Sequence, residues 1–392
     1  MSIPFFRYAA GFLSQERMLT DAILDVFRRG AYIMQNELVQ FESRLSAYLH
    51  IPNAVGVANC TDGMILALRA AGIGTGDEVI MPAHTFVATA AAAHFVGASP
   101  VLVDCGPDHL IDPAAIEGAI TDRTAAIMPV HLNGRTCEMS TIQSIACAQG
   151  LAIIEDAAQA LGARFRGRAA GTFGLAGAFS FYPAKLLGCL GDGGAVVTGN
   201  ASIARELQLL RDHGRDEEGD VVAWGLNSRL DNVQAAILDL RLRGLDDEIE
   251  RRRQIAQMYQ DRLADMEELV LPPGPDDSDD RFDVFQNYEI ESLDRDELRE
   301  HLTRDGIGTI LPWGGRAVHH YPKLGLSGDL PVTDGVFERC LLLPMNTSLT
   351  DDEVERVAAS VRRFHANRMR AASLMSGAGA PSSQPGDRLP LA

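Results

Sequence analysis

The sequence has little positive charge, no long hydrophobic run and no regular cysteine pattern, and each absence argues against a class of protein. Its 35 lysine and arginine residues stand against 53 aspartate and glutamate residues, which gives a formal net charge of −18. This balance argues against a nucleic-acid groove and against attraction to an anionic membrane surface, since both need a basic face. Anionic small substrates stay possible, because a few local arginine or lysine side chains can outweigh the net field.

The chain contains no run of 18 or more apolar residues, so the sequence predicts no membrane-spanning helix. Residues 1–8 lack the charged and apolar regions of a signal peptide, and we therefore expect a cytoplasmic protein. The cysteines form no CxxC pair and no metal-ligand spacing, which predicts reduced core thiols and no metal site. The six are Cys60, Cys105, Cys137, Cys147, Cys189 and Cys340.

Short apolar runs alternate with amphipathic segments through the first half of the chain, which is typical of an α/β protein. The runs are continuously apolar, which predicts strands that are buried on both faces of a mostly parallel, seven-stranded sheet between helices. These runs are 54–58, 78–82, 100–103, 125–129, 151–155, 176–181 and 194–198. The helix candidates are 18–29, 37–49, 62–71, 86–96, 113–119 and 139–149.

A long charged helix over roughly 230–266, with a break near Gly244, leads into a smaller C-terminal α/β unit. Its predicted elements are a strand at 284–291, a helix at 295–305, a strand at 308–311, a helix near 332–339, a strand at 340–344 and a helix at 350–366. We predict a large domain over 1–245 that includes the N-terminal helical segment, a second domain over 246–370, and a tail over 371–392. Serine, glycine and proline are frequent in the tail, which predicts disorder.

The segment 179–194 carries the chemistry of this sequence. Lys185 follows an apolar strand and Tyr182-Pro183, and no other charged residue lies near it until Asp192. A lysine amine is a poor nucleophile at its ordinary pKa, and burial lowers that pKa enough for Schiff-base formation. The alternative for this segment alone is a surface lysine whose stem lies along apolar residues.

A second apolar strand ends in Glu155-Asp156. Open α/β sheets bind ligands at the carboxyl ends of their strands, and Lys185 lies at such an end too. A lysine with an acid partner fits pyridoxal phosphate (PLP), because the acid keeps the pyridine nitrogen protonated while the lysine holds the cofactor. A single aspartate after a strand also serves as a helix cap, which is the simpler interpretation of Asp156 taken alone.

Two more strand-to-helix turns are candidates for cofactor contacts. In the turn 58–63, backbone amides at a helix start favour phosphate binding, although Thr61 or Asp62 alone fits a helix cap equally well. In the turn 81–86, Phe86 is a candidate for stacking on a cofactor ring or, alternatively, a core residue.

Taken together, these segments resemble the DegT/DnrJ/EryC1/StrS family of PLP-dependent sugar aminotransferases, which have the aspartate-aminotransferase fold. The likeness runs from about residue 5 to about residue 363. The matching motifs lie at 72–80, 82–86, 129–134, 155–160 and 191–195. The resemblance implies a large PLP-binding domain with a smaller C-terminal domain.

The resemblance also assigns roles to individual residues. It implies that Lys185 holds the cofactor covalently and moves the proton, and that Asp156 faces the pyridine nitrogen. It implies a further set of contacts to the cofactor's phenolic oxygen, phosphate and ring: Gln159, Ser180, Thr61, the Asp62 amide and Phe86. Asn227 matches an asparagine that reaches the phosphate from a neighbouring subunit, which implies a homodimer with shared active sites.

The chain departs from the family pattern in two places: Cys60 stands where glycine is usual, and Gly63-Met64 where a small residue and leucine are usual. The implied reaction moves an amino group from glutamate or glutamine to a keto sugar, foremost a nucleotide-linked 3-keto or 4-keto deoxyhexose of the kind used in antibiotic biosynthesis. Alternatives are a keto-cyclitol aminotransferase, a PLP-dependent sugar dehydratase and a sensor without turnover. The retained Lys185 favours transamination over dehydration.

Four residues are candidates for substrate contacts. Arg229 suits a carboxylate or phosphate clamp, and a structural ion pair is the equal alternative. The segment 313–320 contributes Trp313, His319 and His320 as candidates for a sugar pocket, although histidines on such a loop are more often plain surface residues.

Overall fold

The computed structural model describes residues 2–275 and 280–377, with side chains described as far as residue 370. The helices are α1 (Tyr8–Leu13), α2 (Glu16–Arg29), α3 (Asn36–Tyr48), α4 (Cys60–Ala70), α5 (Val87–Phe95), α6 (Pro113–Ala119), α7 (Met139–Gln149), α8 (Ala201–Arg211), α9 (Asn232–Leu242), α10 (Leu245–Leu263), α11 (Arg295–Arg304), α12 (Pro331–Arg339) and α13 (Asp351–Gly377). The strands are β1 (Asn53–Val57), β2 (Glu78–Pro82), β3 (Ser99–Val103), β4 (Thr124–Ile127), β5 (Ala152–Asp156), β6 (Arg164–Phe165), β7 (Arg168–Ala169), β8 (Ala176–Ser180), β9 (Gly194–Thr198), β10 (Leu269–Val270), β11 (Arg281–Phe282), β12 (Tyr288–Ser292) and β13 (Cys340–Leu343).

Seven strands form the central sheet in the order β1-β9-β8-β5-β4-β2-β3, which confirms the predicted mostly parallel sheet. Only β9 runs against its neighbours, pairing antiparallel with both β1 and β8. Every residue of β2 and β9 is buried, because helices cover both sheet faces. The continuously apolar runs in the sequence have this double burial as their physical cause.

The C-terminal unit contains a small antiparallel sheet, β10-β12-β13, with α10, α11 and α13 packed around it. Its apolar core includes the two buried tyrosines Tyr259 and Tyr288, whose ring centroids are 4.9 Å apart. The predicted break near Gly244 is confirmed, since α9 ends at Leu242 and α10 begins at Leu245. The domain boundary itself stays a prediction.

Two predictions for this unit were wrong. No strand forms at 308–311 in the described chain; instead, Ile307 and Ile310 make isolated bridges. Gly308 lies against the N-terminal segment, where a Cβ atom would come within 2.8 Å of the Phe5 nitrogen. The last helix also runs through Gly377, so helix replaces the first residues of the predicted tail. The rest of that tail, 378–392, lies outside the described residues.

The first residues of the chain bind the C-terminal unit. Ile3 pairs with Ile307, and Arg7 forms an ion pair with Glu353 and donates to the Ser348 carbonyl. The N-terminal segment therefore packs against the C-terminal unit, although the two are more than 300 residues apart in the sequence.

None of the helices in 2–275 and 280–377 is both long and apolar enough to cross a bilayer. All six cysteines are free thiols, as predicted. Five of them are buried, whereas Cys147 is exposed near the end of α7 and departs from the expected core position.

Candidate active site

The carboxyl ends of four sheet strands meet at one edge of the molecule. The turn into α4 follows β1, the segment 83–86 follows β2, Asp156 ends β5, and the lysine segment follows β8. Parallel strands place their carboxyl ends at the same edge of a sheet, so residues far apart in sequence meet there. The sheet therefore brings together the predicted contacts around Lys185 and Asp156.

Lys185 is partly buried, and its Nζ makes no hydrogen bond or ion pair within the described residues. Burial lowers the pKa of Lys185 below its ordinary value, while the nearby Asp156 carboxylate opposes that shift. A lower pKa increases the fraction of neutral amine, which is the nucleophilic form. The only other lysine in the chain, Lys323, is exposed.

One side chain from the C-terminal unit holds the peptide groups on both sides of Lys185. Oε1 of Gln286 accepts a hydrogen bond from the Leu186 amide at 2.9 Å, and Nε2 donates to the Ala184 carbonyl at 2.8 Å. Gln286 is only 5% exposed, so this clamp is shielded from water. The sequence analysis missed it, because nothing in a local pattern connects residue 286 to residue 185.

We expect Gln286→Ala to lower kcat more than it changes KM, because Lys185 would lose the contacts that fix its backbone. A displacement of about 1 Å in a reacting group costs roughly 100-fold in rate. The Leu186 amide and the Ala184 carbonyl would also lose their hydrogen bonds, and each loss should lower the free energy of unfolding by about 1–3 kcal/mol. Steady-state kinetics and thermal unfolding measure the two effects separately.

Gln143→Ala is the matched control, since Gln143 also donates to a backbone carbonyl, that of Phe173, at 2.9 Å. It should lower stability without a selective loss of kcat. Equal kcat losses in both variants would contradict a positioning role for Gln286.

Asp156 is a buried carboxylate without an ion-pair partner in the described chain. Its Oδ2 accepts a hydrogen bond from Thr89 Oγ1 at 2.8 Å, and Oδ1 accepts from the Ala158 amide at 3.1 Å. Thr89 is in turn 2.7 Å from Thr85, oxygen to oxygen. An unpaired buried charge is costly, so this carboxylate fits a cationic partner such as a protonated pyridine nitrogen. Thr85 and Thr89 were missed by sequence reasoning.

The start of α4 provides backbone amides for an anion. Asn59 caps this helix by accepting from the Asp62 amide at 2.8 Å, so neither Thr61 nor Asp62 is the cap. The amide of Asp62, which the resemblance assigned to the phosphate, is thus already engaged by Asn59. Cys60 and Thr61 begin the helix, and their amides have no intrahelical acceptor.

The first residue of strand β9 lies close to the turn into α4, which explains why this residue is a glycine, Gly194. A Cβ atom on Gly194 would lie 2.6 Å from the Asn59 carbonyl carbon and 2.7 Å from the Cys60 nitrogen. Gly194 also pairs with Ser180, so the end of β8 lies next to the strand residue that contacts the start of α4. Ser180, Thr61 and the first α4 amides therefore fit a phosphate cup.

Gln159 connects the site to the interface between the sheet and the C-terminal unit. Its Oε1 accepts a hydrogen bond from the Asn133 amide at 2.7 Å, and Asn133 continues to Glu289 of β12. The neighbouring Gly134 packs against the backbone of Phe285 and Gln286, where a Cβ atom would come within 2.8 Å. The motif at 129–134 therefore docks the C-terminal unit onto the site.

The substrate candidates separate into two groups. Trp313 lies near Phe86, with ring centroids 5.4 Å apart, and Phe86 is 52% exposed, so these two rings border the open side of the site. His319 and His320 instead both bond Oδ1 of Asp334, at 2.8 and 2.7 Å. This shared carboxylate gives both histidines a structural contact.

Arg229 forms an ion pair with Asp212 at 2.8 Å, which is the structural alternative that the sequence left open. Asn227 is exposed in the single chain, and the adjacent Ser228 Oγ accepts from the Ala58 amide at 3.3 Å. Asn227 therefore lies on the surface, while the adjacent Ser228 is buried beside the start of α4.

Comparison with known proteins identifies the family of the chain. The model of the DegT/DnrJ/EryC1/StrS aminotransferase family matches residues 14–362. The chain belongs to this family. Its fold, its aminotransferase activity and its cofactor PLP were thus predicted correctly from the sequence.

Individual relatives cover nearly the whole chain. A dTDP-3-amino-3,4,6-trideoxy-alpha-D-glucose transaminase from Streptomyces venezuelae is 40% identical over 92% of this chain and 96% of its own. The erythromycin biosynthesis sensory transduction protein EryC1 from Saccharopolyspora erythraea is also 40% identical, over 92% of this chain and 99% of its own.

The solved structures lead to the same family. DesV from S. venezuelae, in complex with a ketimine intermediate, superposes with a TM-score of 0.89 at 40% identity, covering 93% of this chain and 98% of DesV. NtdA from Bacillus subtilis, with bound cofactor PMP, has a TM-score of 0.85 at 31% identity, covering 93% of this chain and 85% of NtdA. The aminotransferase thus shares its fold with proteins that hold this cofactor.

Proposed function

We propose that this aminotransferase transfers an amino group from glutamate or glutamine to the 3-keto group of a nucleotide-linked deoxyhexose. The observation that carries the proposal is the buried edge of the sheet where Lys185, clamped by Gln286, meets Asp156. A free amine and an unpaired carboxylate at one edge are the two groups that PLP-dependent amino transfer needs.

PLP, when bound, serves as the electron sink and carries the amino group between the two substrates. Lys185 Nζ would hold the cofactor covalently at rest. Once released, it would take the proton from the α-carbon of the donor and return it to the carbon of the cofactor that carries the amino group. Asp156 would keep the pyridine nitrogen protonated. Ser180, Thr61 and the first amides of α4 would hold the phosphate, and Gln159 would face the phenolic oxygen.

Two features support a nucleotide-linked acceptor. Trp313, whose ring centroid lies 5.4 Å from that of Phe86, offers an aromatic face for a sugar ring, while Phe86 would stack on the cofactor ring. Arg316, on the same loop as Trp313, is exposed and forms no ion pair within the described residues, so it is available to a pyrophosphate. The 3-amino position follows the name of the S. venezuelae transaminase.

The test is a two-stage assay of the purified enzyme. Glutamate or glutamine should first convert the visible absorbance band of the lysine-bound cofactor into the band of its aminated form. The aminated enzyme is then offered dTDP-3-keto and dTDP-4-keto deoxyhexoses and a keto-cyclitol, and the products are analysed by mass spectrometry. Amination of the 3-keto sugar alone supports the proposal, whereas selective amination of the 4-keto sugar or the cyclitol contradicts it.

We also infer that two copies of the chain share their active sites. Apolar side chains are exposed beside Asn227, among them Trp224 at 90%, Val221 and Val222. Tyr32 is exposed as well, and its carbonyl accepts from the Asn232 amide, so the α2–α3 turn lies close to the start of α9, five residues after Asn227. An exposed apolar face of this kind is typical of a subunit interface.

Mixing two inactive variants tests the shared site. Asn227→Asp places a negative charge where a phosphate is expected, and Lys185→Ala removes the amine, so each variant alone should be nearly inactive. If Asn227 acts across the interface, each mixed dimer holds one intact site, and random mixing should restore roughly a quarter of wild-type activity. No recovery in co-expressed protein would contradict a shared site, and an analytical ultracentrifugation run reports the dimer independently.

A further inference from the structure

Three side chains from separate segments meet in the interior between the sheet and the C-terminal unit. His84 follows β2, His109 lies in the loop after β3, and Glu289 lies on β12. Glu289 Oε1 is 3.5 Å from His84 Nε2 and 3.2 Å from His109 Nδ1. His84 is 1% exposed and Glu289 is 3% exposed, so the cluster is shielded from bulk water.

The atoms that face one another here are short of hydrogen-bond partners. Within the described residues, neither ring nitrogen of His84 makes a hydrogen bond, and Glu289 Oε1 makes none either, although it lies within ion-pair distance of His109 Nδ1. Buried polar atoms without partners are costly, which points to a ligand that binds them together. Ligands bonded at 2.0–2.1 Å around a tetrahedral Zn²⁺ lie about 3.3 Å apart, which agrees with the two separations here.

The surrounding contacts orient these three atoms. His109 Nε2 is 3.1 Å from Glu291 Oε1, which leaves Nδ1 facing Glu289. Asn133 Nδ2 donates to Glu289 Oε2 at 2.5 Å, so the other carboxylate oxygen faces the histidines. Arg339 Nε in turn donates to Glu291 Oε2 at 2.8 Å. A histidine that gives its second ring nitrogen to a carboxylate is the usual support for a metal ligand.

We propose that His84 Nε2, His109 Nδ1 and Glu289 Oε1 bind one divalent transition-metal ion, Zn²⁺ in particular. Two imidazoles and one carboxylate suit Zn²⁺ rather than Mg²⁺ or Ca²⁺, which prefer oxygen ligands. The ion would join the sheet to the C-terminal unit. Asn133 binds the ligand Glu289 through its side chain and Gln159 through its backbone amide, so a single residue connects the metal site to the cofactor contact. This site does not depend on the proposed acceptor.

A second group, His319, His320 and Asp334, differs in a way that makes it a control. Its two histidines already make hydrogen bonds of 2.8 and 2.7 Å to Asp334 Oδ1, and the Asp334 side chain is 47% exposed. These contacts occupy the Nε2 atoms of both histidines and leave only His319 Nδ1 without a hydrogen bond in the described residues.

Metal binding to the untagged holoenzyme, dialysed against a chelator, tests the proposal. Titration with Co²⁺ should give one ion per chain with the strong visible bands of tetrahedral cobalt, and one equivalent of Zn²⁺ should displace it. His109→Ala and Glu289→Gln should weaken binding by more than about 100-fold, beyond what a supporting residue contributes. His320→Ala should leave the stoichiometry and affinity unchanged.

Glu291→Gln is the second variant, because it keeps all three ligands and nearly the same shape. It should weaken Co²⁺ binding by roughly 10–100-fold. The proposal is overturned if the wild-type holoenzyme binds no stoichiometric Co²⁺ or Zn²⁺, or if His109→Ala and Glu291→Gln both bind as tightly as the wild type. It is also overturned if His320→Ala removes the binding.

Discussion

Lys185→Ala is expected to lower the rate of amino transfer by about 10⁴-fold or more, which is the largest effect predicted for any single change in this chain. A positioned general acid–base group contributes roughly 10²–10⁴-fold, and the same side chain would also hold the cofactor covalently. Both contributions depend on one amine, so they disappear together. Single-turnover formation of the aminated sugar measures the loss.

Lys323→Ala is the matched control, because Lys323 is the only other lysine and is exposed. Its activity and its visible cofactor band should equal those of the wild type. In Lys185→Ala the band of the lysine-bound cofactor should be absent even when PLP is supplied. Residual turnover within tenfold of wild type in Lys185→Ala would show that another group moves the proton.

Asp156→Asn is expected to lower the rate by about 10²–10³-fold while the cofactor still binds, since preorganised charge opposite a developing charge contributes that much. Asparagine keeps the shape of the side chain but removes the negative charge that would stabilise a protonated pyridine nitrogen. The phosphate contacts are untouched. The kinetics of each half-reaction, together with the cofactor content, separate the lost charge from lost binding.

Thr89→Val provides the comparison for Asp156. It removes the hydrogen bond to Asp156 Oδ2 at 2.8 Å but leaves the carboxylate charged. We expect a loss smaller than that of Asp156→Asn, because the Ala158 amide still holds the other oxygen at 3.1 Å. Equal losses in the two variants would mean that the position of the carboxylate, rather than its charge, limits the reaction.

The sequence correctly predicts those parts of the fold that depend on local patterns. The strands of the central sheet are continuous apolar runs, and Lys185 and Asp156 are recognisable because each comes at the end of one. The reversed direction of β9 is not visible in such a run, because a strand buried on both faces has no polar side to orient it. The absence of a helix candidate between residues 181 and 194 was the available signal, since parallel strands need a long crossover.

The parts that were missed depend on contacts between distant segments. Gln286 reaches Leu186, next to Lys185, across 100 positions, and Thr89 reaches Asp156 across 67. No ligand spacing in the sequence connects His84, His109 and Glu289, because they lie in three separate segments of the chain. The expectation of no metal site came from cysteine spacing alone, and a metal ion at this cluster is our proposal.

The substrate loop illustrates a third limit. Trp313 and the two histidines lie within eight positions of one another, yet Trp313 approaches Phe86 while the histidines bond Asp334. Trp313 itself has a positive φ of 52°, which a bulky side chain seldom adopts. A local pattern could not distinguish these directions, because tight turns separate the three side chains.

The attachment of the first residues to the C-terminal unit also has a consequence for synthesis on the ribosome. The Phe5 carbonyl accepts from Asn346, and Arg7 donates to Ser348, each pair separated by 341 positions in the sequence. Ile3 and Phe5, both buried in the finished protein, therefore emerge long before their partners exist. The nascent chain must carry Ile3 unpaired until residue 307 has been translated, and Phe5 until residue 346 has been translated.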